Sequence, residues 1–291
     1  MSILPATLTY FGSLQHINQV INKTAIPLKE AHQLADPFLP DHTSEMEFTI
    51  EDFFEEAVKY IAHSILGRSA PRGQPNHPLQ KAIMRWRLED RFKDESEIRE
   101  ALQGLLPAMV EKAFNEAREH HELWATFVER KRLIPFYEKY QKLELWLQEG
   151  QHHRGAAIKF KCDEDSIFEY CHPVSYSKIP AKTVDLRGYI DHMTGNAQEI
   201  EFDPQKTILA QNYAMREFKE WRLLVDISQV DDTFIEFPID QIQSVYIGAL
   251  VSADNVAQFT KHLEKVSPKI KVFQAVCRPN EYSFEFERTS S

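Results

Sequence analysis

The sequence predicts an α+β fold in which a mixed or antiparallel sheet forms the core and a block of helices is inserted. Two observations lead there. Segments alternating apolar and polar residues stand at both ends of the chain, and a long stretch between them carries apolar residues at helical spacing. No internal repeat or low-complexity segment interrupts this plan. Residues 1–291 therefore read as a single α+β domain, with 49–147 a mainly helical insertion.

The elements come in order. Residues 7–11 make a short strand, and Ser13 caps the next helix because its hydroxyl can accept from an N–H of the first turn. Leu14, Ile17, Val20 and Ile21 supply that helix's apolar face. The segment Ala25 to Leu28 is an edge strand, since Pro27 cannot donate to a central ladder. Asp36-Pro37-Phe38 signals a turn, with Asp36 suited to capping it. Thr49 and Asp52 form a capping box in which aspartate replaces the usual glutamate, and Phe54, Ala57, Val58, Ile61 and Ile65 come next on one helix face. Residues 67–78, rich in Gly, Pro and Asn, link this helix to others expected at 79–93, 95–103 and 107–121, with Pro107 in a first turn. Glu122 to Glu129 reads as a strand on the strength of Leu123, Trp124, Thr126, Phe127 and Val128, and Pro135 then opens a helix through Tyr137, Tyr140 and Leu143 to Trp146.

The remaining half is richer in strands, expected near 155–161, 170–176, 220–227, 233–237, 242–248, 270–276 and 281–287. A helix over 253–266 places Val256, Phe259, Leu263 and Val266 on one side. Tyr282, Phe284 and Phe286 alternate with Ser283, Glu285 and Glu287, the pattern of a strand with one wet face.

Charge and composition exclude several classes. The chain has 34 Lys and Arg against 44 Asp and Glu, a net charge of −10. A sequence-tolerant duplex binder needs a cationic face to displace counterions, so no broad nucleic-acid surface is expected. The basic runs Arg85-Trp86-Arg87 and Arg130-Lys131-Arg132 are broken by Glu89 and Glu129 and suit solvated helix faces. Nine glycines form no dinucleotide-binding, phosphate-loop or nucleophile-elbow signature. No apolar run reaches the ~20 residues of a membrane helix, the N-terminus lacks a signal-peptide pattern, and three cysteines make no disulfide framework. A cytoplasmic, soluble protein is the expectation.

No metal is expected either. Cys162, Cys171 and His172 lie near His152 and His153 at spacings unlike a zinc motif, and His120 and His121 are adjacent, a poor chelate on a helix.

The candidate site residues are few. Glu220 and Arg222, two apart on a strand, share a face and suit either an anion-and-hydroxyl site or a structural ion pair. His153 and Arg154 before Gly155 suit an anion such as phosphate, or a polar helix-to-strand connection. Tyr10 and Tyr176, at strand ends, suit stacking on a flat ring, or burial with a satisfied hydroxyl.

Several blocks together resemble the bacterial family called domain of unknown function 2971. They are Tyr10 before an amphipathic run, Ala35-Asp36-Pro37-Phe38, Trp146 ahead of His153-Arg154-Gly155, Pro173-Val174-Ser175-Tyr176, Glu220-Trp221-Arg222, and Ile247-Gly248. The chain departs from the family's pattern at Glu149, where a tyrosine is usual, and at Met215, Glu217 and Phe218 ahead of Glu220. The family occurs in bacteria and phages, among accessory and defence-associated genes. Its opening strand–helix–strand and its glutamate-headed later strand look similar to those of ADP-ribosyltransferases. That resemblance implies an NAD-dependent transferase or NAD glycohydrolase, with NAD as substrate and Glu220 stabilising the ribosyl cation. It implies Arg154, His153 and Arg222 at the pyrophosphate, and Tyr10 or Tyr176 at the nicotinamide. The alternative is a non-catalytic sensor or interaction module engaging a protein partner through the helical block and its Trp86, Phe92, Phe114 and Trp124.

Overall fold

Ser13 ends the first strand and begins the first helix, its Oγ accepting the His16 N–H at 3.1 Å. One residue thus closes a ladder and opens a helix, with no loop between them. The computed structural model describes residues 4–34, 36, 38–39, 45–67, 73–163, 166–230 and 233–289, and the chain is an α+β protein. Of the expected turn at 36–38, Pro37 lies outside the described residues, as do Ala35 and residues 68–72 of the expected linker.

The elements in chain order are β1 (Thr7–Ser13), α1 (Leu14–Lys23), β2 (Ala25–Pro27), α2 (Ile50–Leu66), α3 (Pro78–Leu88), α4 (Glu95–Leu102), α5 (Leu106–Arg130), β3 (Lys131–Tyr137) and α6 (Leu143–Gln148). Then come β4 (Gly155–Lys161), β5 (Cys171–Pro173), β6 (Ser175–Ser177), α7 (Leu186–Met193), α8 (Pro204–Ile208), β7 (Ala210–Asn212) and β8 (Glu220–Asp226). The last are β9 (Phe234–Glu236), β10 (Ile242–Ile247), α9 (Ala253–Val266), β11 (Lys271–Cys277) and β12 (Phe284–Arg288).

Two units are distinguished by their internal contacts, one of Met1–Leu39, Arg130–Ala181 and Ile208–Ser291, the other of Pro40–Glu129 and Lys182–Thr207. The first holds an eight-stranded sheet ordered β12-β11-β10-β4-β1-β3-β8-β5. It is mixed: β10 and β11 run parallel, and the other neighbouring pairs are antiparallel. β2 pairs with β9 away from the large sheet, where the missing Pro27 donor breaks no central ladder. Leu8, Tyr10, Ile158, Phe160, Val245 and Ile247 from the strands bury against Ile17, Val20 and Ile21 of α1 and Phe259 and Leu263 of α9.

The second unit has its own core. Thr49 and Asp52 close the expected capping box reciprocally, the Asp52 N–H reaching Thr49 Oγ1 at 3.1 Å and the Thr49 N–H reaching Asp52 Oδ2 at 2.9 Å. Phe53, Ala57, Val58, Ile61 and Ile65 of α2 meet Ile83, Ile98, Leu102, Val110, Ala117 and Ile190. The buried face takes Phe53 rather than Phe54, which is only partly covered.

Two segments take a different type of structure from the one expected, and both reflect the same competition between local preference and context. Residues 122–129 are not a strand but the last turns of α5, a 25-residue helix. Once a helix is nucleated each further residue adds a hydrogen bond, so β-favouring residues are carried along. Trp124 and Val128, four apart, lie buried on one face. Conversely, Pro135 opens no helix: it sits inside β3, and the helix begins only at Leu143. β3 is bonded along its length to β8, while on its other flank Lys29 bridges Leu133 and β1 meets Tyr137, so Pro135 falls in the gap between them, where a missing N–H breaks no ladder bond. The expected strand over 170–176 is two short ones, β5 on β8 and β6 on β7.

Candidate functional site

Period-two alternation builds the site's floor. Ile134, Phe136, Trp221 and Leu223 point into the core of the first unit. Their neighbours Pro135, Tyr137, Glu220 and Arg222 therefore share the other face, where Pro135 pairs with Arg222 and Tyr137 with Glu220. These four line a cavity of about 550 Å³. Its walls come from Lys29, Gln33, Asp36 and Phe38 after β2, Gln148 and Glu149 at the end of α6, and Asn212, Met215 and Phe218 between β7 and β8. An isolated bridge between Lys29 and Leu133 anchors the first wall to the floor.

Arg222 is the centre of the electrostatics. It is 1% exposed, its Nε donates to Glu220 Oε1 at 2.7 Å, its Nη1 to the Ile208 carbonyl at 2.6 Å and its Nη2 to Asp36 Oδ2 at 3.5 Å. Burial would lower its pKa, but the Glu220 and Asp36 carboxylates outweigh that and raise it. Asp36 has a second task, accepting the Phe38 N–H at 3.1 Å in the turn the sequence suggests. Tyr137 is buried, and burial together with the Glu220 charge pushes its hydroxyl well above the usual range. Glu149 is also pushed up, chiefly by burial and further by Glu220, against the opposing pull of Lys29 and a hydrogen bond from Tyr137.

The sequence-predicted residues divide. Glu220 and Arg222 meet in the cavity. Tyr176 supports them from β6: its hydroxyl accepts the Glu220 N–H at 2.7 Å, and burial pushes its pKa to about 12. Tyr10 lies in the core, 2% exposed, its hydroxyl 2.8 Å from His16 Nε2 and its ring on Phe136. His153 and Arg154 precede Gly155, which pairs with Ser13, whereas Glu220 aligns through Tyr137 and Thr9 with Lys159 towards the other end of β4. His153 packs edge-on to Phe284 at 5.2 Å, and its carbonyl accepts the Leu250 N–H. Gly155 approaches backbone, not a ligand: a Cβ there would stand 2.3 Å from the Gly12 carbonyl oxygen.

Glu149, Tyr137 and Lys29, which also line the cavity, carry no motif that marks them in the sequence. In the second unit, Trp86, Phe92 and Trp124 are buried and Phe114 is partly so, which removes them as an exposed aromatic patch. Among the described residues no group of three His, Cys, Asp or Glu could hold a metal, and no helix is long and apolar enough to cross a membrane.

Fold and site define an α+β protein with a carboxylate-rich, arginine-anchored cavity on one face of a mixed sheet. Compared with protein-family models, curated proteins and solved structures, the chain matches none.

Proposed function

We propose that the first unit binds NAD in this cavity and breaks its nicotinamide–ribose bond, as an NAD glycohydrolase or ADP-ribosyl transferase. The observation that carries the reading is Glu220, a carboxylate at the floor of the cavity, oriented by Arg222 at 2.7 Å. Glycosidic cleavage passes through an oxocarbenium-like state, and a fixed anion beside the ribose stabilises the developing cation. The volume falls within the ~300–1,000 Å³ of small-molecule sites. Phe38, Tyr137 and Phe218 offer rings for the flat nicotinamide and adenine, Gln33, Gln148 and Asn212 offer amides for hydroxyls, and Lys29 offers charge for the pyrophosphate.

The test is wild type and Glu220→Gln with NAD, tracking binding and nicotinamide release. Release by wild type with a loss of about 10²–10³-fold in the variant is expected for removal of a preorganised electrostatic group. Equal release by a folded Glu220→Gln protein would end the assignment. Glu220→Asp, which keeps the charge for Arg222, should fold as wild type does and release nicotinamide slowly.

A further inference from the structure

The Glu220 reading leaves a second carboxylate in the same cavity without a role. Glu149 stands on the α6 wall of the cavity, where it accepts a hydrogen bond from Tyr137 of the floor and feels the Glu220 charge. Its backbone is fixed at the end of α6, where the Glu149 N–H reaches the Leu145 carbonyl at 2.8 Å. Trp146, one turn back on α6, is fully buried, donates its Nε1–H to the Tyr140 carbonyl at 2.7 Å and meets Phe11 edge-on at 5.2 Å. Gly150 lies against Trp146 so closely that a Cβ would stand 2.7 Å from the indole. Gln151, His152 and His153 then take φ of 52°, 53° and 64°, three consecutive non-glycine residues in the left-handed region. That turn is strained, because a side chain crowds its own backbone there, and it persists only where the surroundings enforce it. It is tied down by the His153 N–H to the Trp146 carbonyl at 3.0 Å and the Gly155 N–H to the Gly150 carbonyl at 2.9 Å.

From this arrangement we infer that Glu149 is the general base of the reaction, taking the proton from the water that attacks the ribosyl carbon. The inference rests on the NAD-cleaving reading. In the step, the C1′–N bond breaks with its electron pair passing to nicotinamide, whose pyridinium charge is thereby neutralised. The water oxygen forms the new C1′–O bond, its proton goes to the Glu149 carboxylate, and Glu149 later returns it to solvent. No further reactant is needed, and the products are nicotinamide and ADP-ribose. The groups facing Glu149 are Tyr137 from β3, Glu220 from β8, Lys29 from the segment after β2 and, at longer range, Tyr10 from β1; Asp36 and Arg222 share the cavity. Glu220 cannot serve as the base with equal ease, because Arg222 occupies its Oε1.

Burial and the Glu220 charge raise the Glu149 pKa towards the working pH, where a base transfers protons best. Turnover should therefore rise with pH through a limb above the ordinary glutamate range, as Glu149 loses its proton.

The experiment compares wild type, Glu220→Gln and Glu149→Ala for nicotinamide release from NAD, with and without azide. Azide is an anionic nucleophile that needs no base. Glu149→Ala should lose about 10²–10⁴-fold in hydrolysis, the usual contribution of a positioned base, while still binding NAD. Azide should restore its nicotinamide release, yield the ribosyl azide and remove the acidic limb; Glu220→Gln should not be rescued. Hydrolysis by Glu149→Ala at the wild-type rate, or a folded variant that binds NAD but is not rescued by azide, would overturn the role of Glu149 and leave Glu220 standing. No release by wild type would overturn this inference, and no binding of NAD would overturn the underlying reading with it. Glu149→Gln serves as the folding control, since it keeps the side chain's shape against Tyr137.

Discussion

Arg222 shows how much of this protein hangs on one buried side chain. Its guanidinium serves two carboxylates and a carbonyl at once, from inside a strand. Removing it leaves Glu220 and Asp36 buried without a counter-charge, a change that costs roughly 3–5 kcal/mol in comparable buried pairs. Arg222→Leu should accordingly lower stability by that amount in urea unfolding monitored at neutral pH. A midpoint equal to wild type would show the pair to be energetically idle. Asp226 makes a different prediction. It accepts from the Ser228 N–H at 3.0 Å and hydroxyl at 2.7 Å, from Arg130 at 3.0 Å and from Lys131 at 3.3 Å. The Ser228 hydrogen bonds first, and the cations after them, hold its pKa far below the usual range. A depressed folded-state pKa contributes stability above the unfolded value that is lost as pH falls through the folded one. Asp226→Asn should therefore melt below wild type at neutral pH, and the two curves should converge in acid below the ordinary aspartate range.

At the scale of the element, the junctions carry the information. Ser13, Thr49 and Asp94 each cap a helix through a side-chain oxygen, and Ser13→Ala should cost about 1 kcal/mol. The three glycines at 12, 155 and 248 mark where backbones crowd. A Cβ on Gly155 would stand 2.3 Å from the Gly12 oxygen, and one on Gly248 would stand 2.2 Å from the His153 oxygen. Since backbone atoms cannot swing aside, Gly155→Ala should destabilise by roughly 1–3 kcal/mol, visible as a lower thermal midpoint.

At the scale of the molecule, each unit closes a core of its own, one of sheet with helices and one of helices alone. Ile61, fully buried among the helices, tests the second of them. Ile61→Ala should cost about 2–5 kcal/mol through lost burial and the cavity left behind. Hydrogen exchange would check this, with protection lost first in α2 and its neighbours. A change confined to the sheet would contradict the division into two cores. The net charge of −10 acts at this scale too, and it predicts no salt-sensitive retention on duplex DNA.

What the amino-acid sequence determined by itself was local. The caps at Ser13 and Thr49, the helix over 253–266 and the strands at 155–161 and 220–226 were legible because capping chemistry and periodicity depend on neighbours in the chain. The pairing of Glu220 with Arg222 was legible for the same reason, since residues two apart on a strand share a face. Residues 122–137 were not legible. Trp124 and Val128 are β-favouring residues that an established helix carries along, and Pro135 is admitted to a strand by the gap between the Lys29–Leu133 bridge and the Thr9–Tyr137 pair. Only the tertiary structure decided those outcomes, and only it brought Asp36, Glu149 and Lys29 to Glu220. These residues are separated by long stretches of chain, so no spacing announces them. Their meeting depends on which strands pair and in what register, and that is settled by burying the opposite face of β3 and β8.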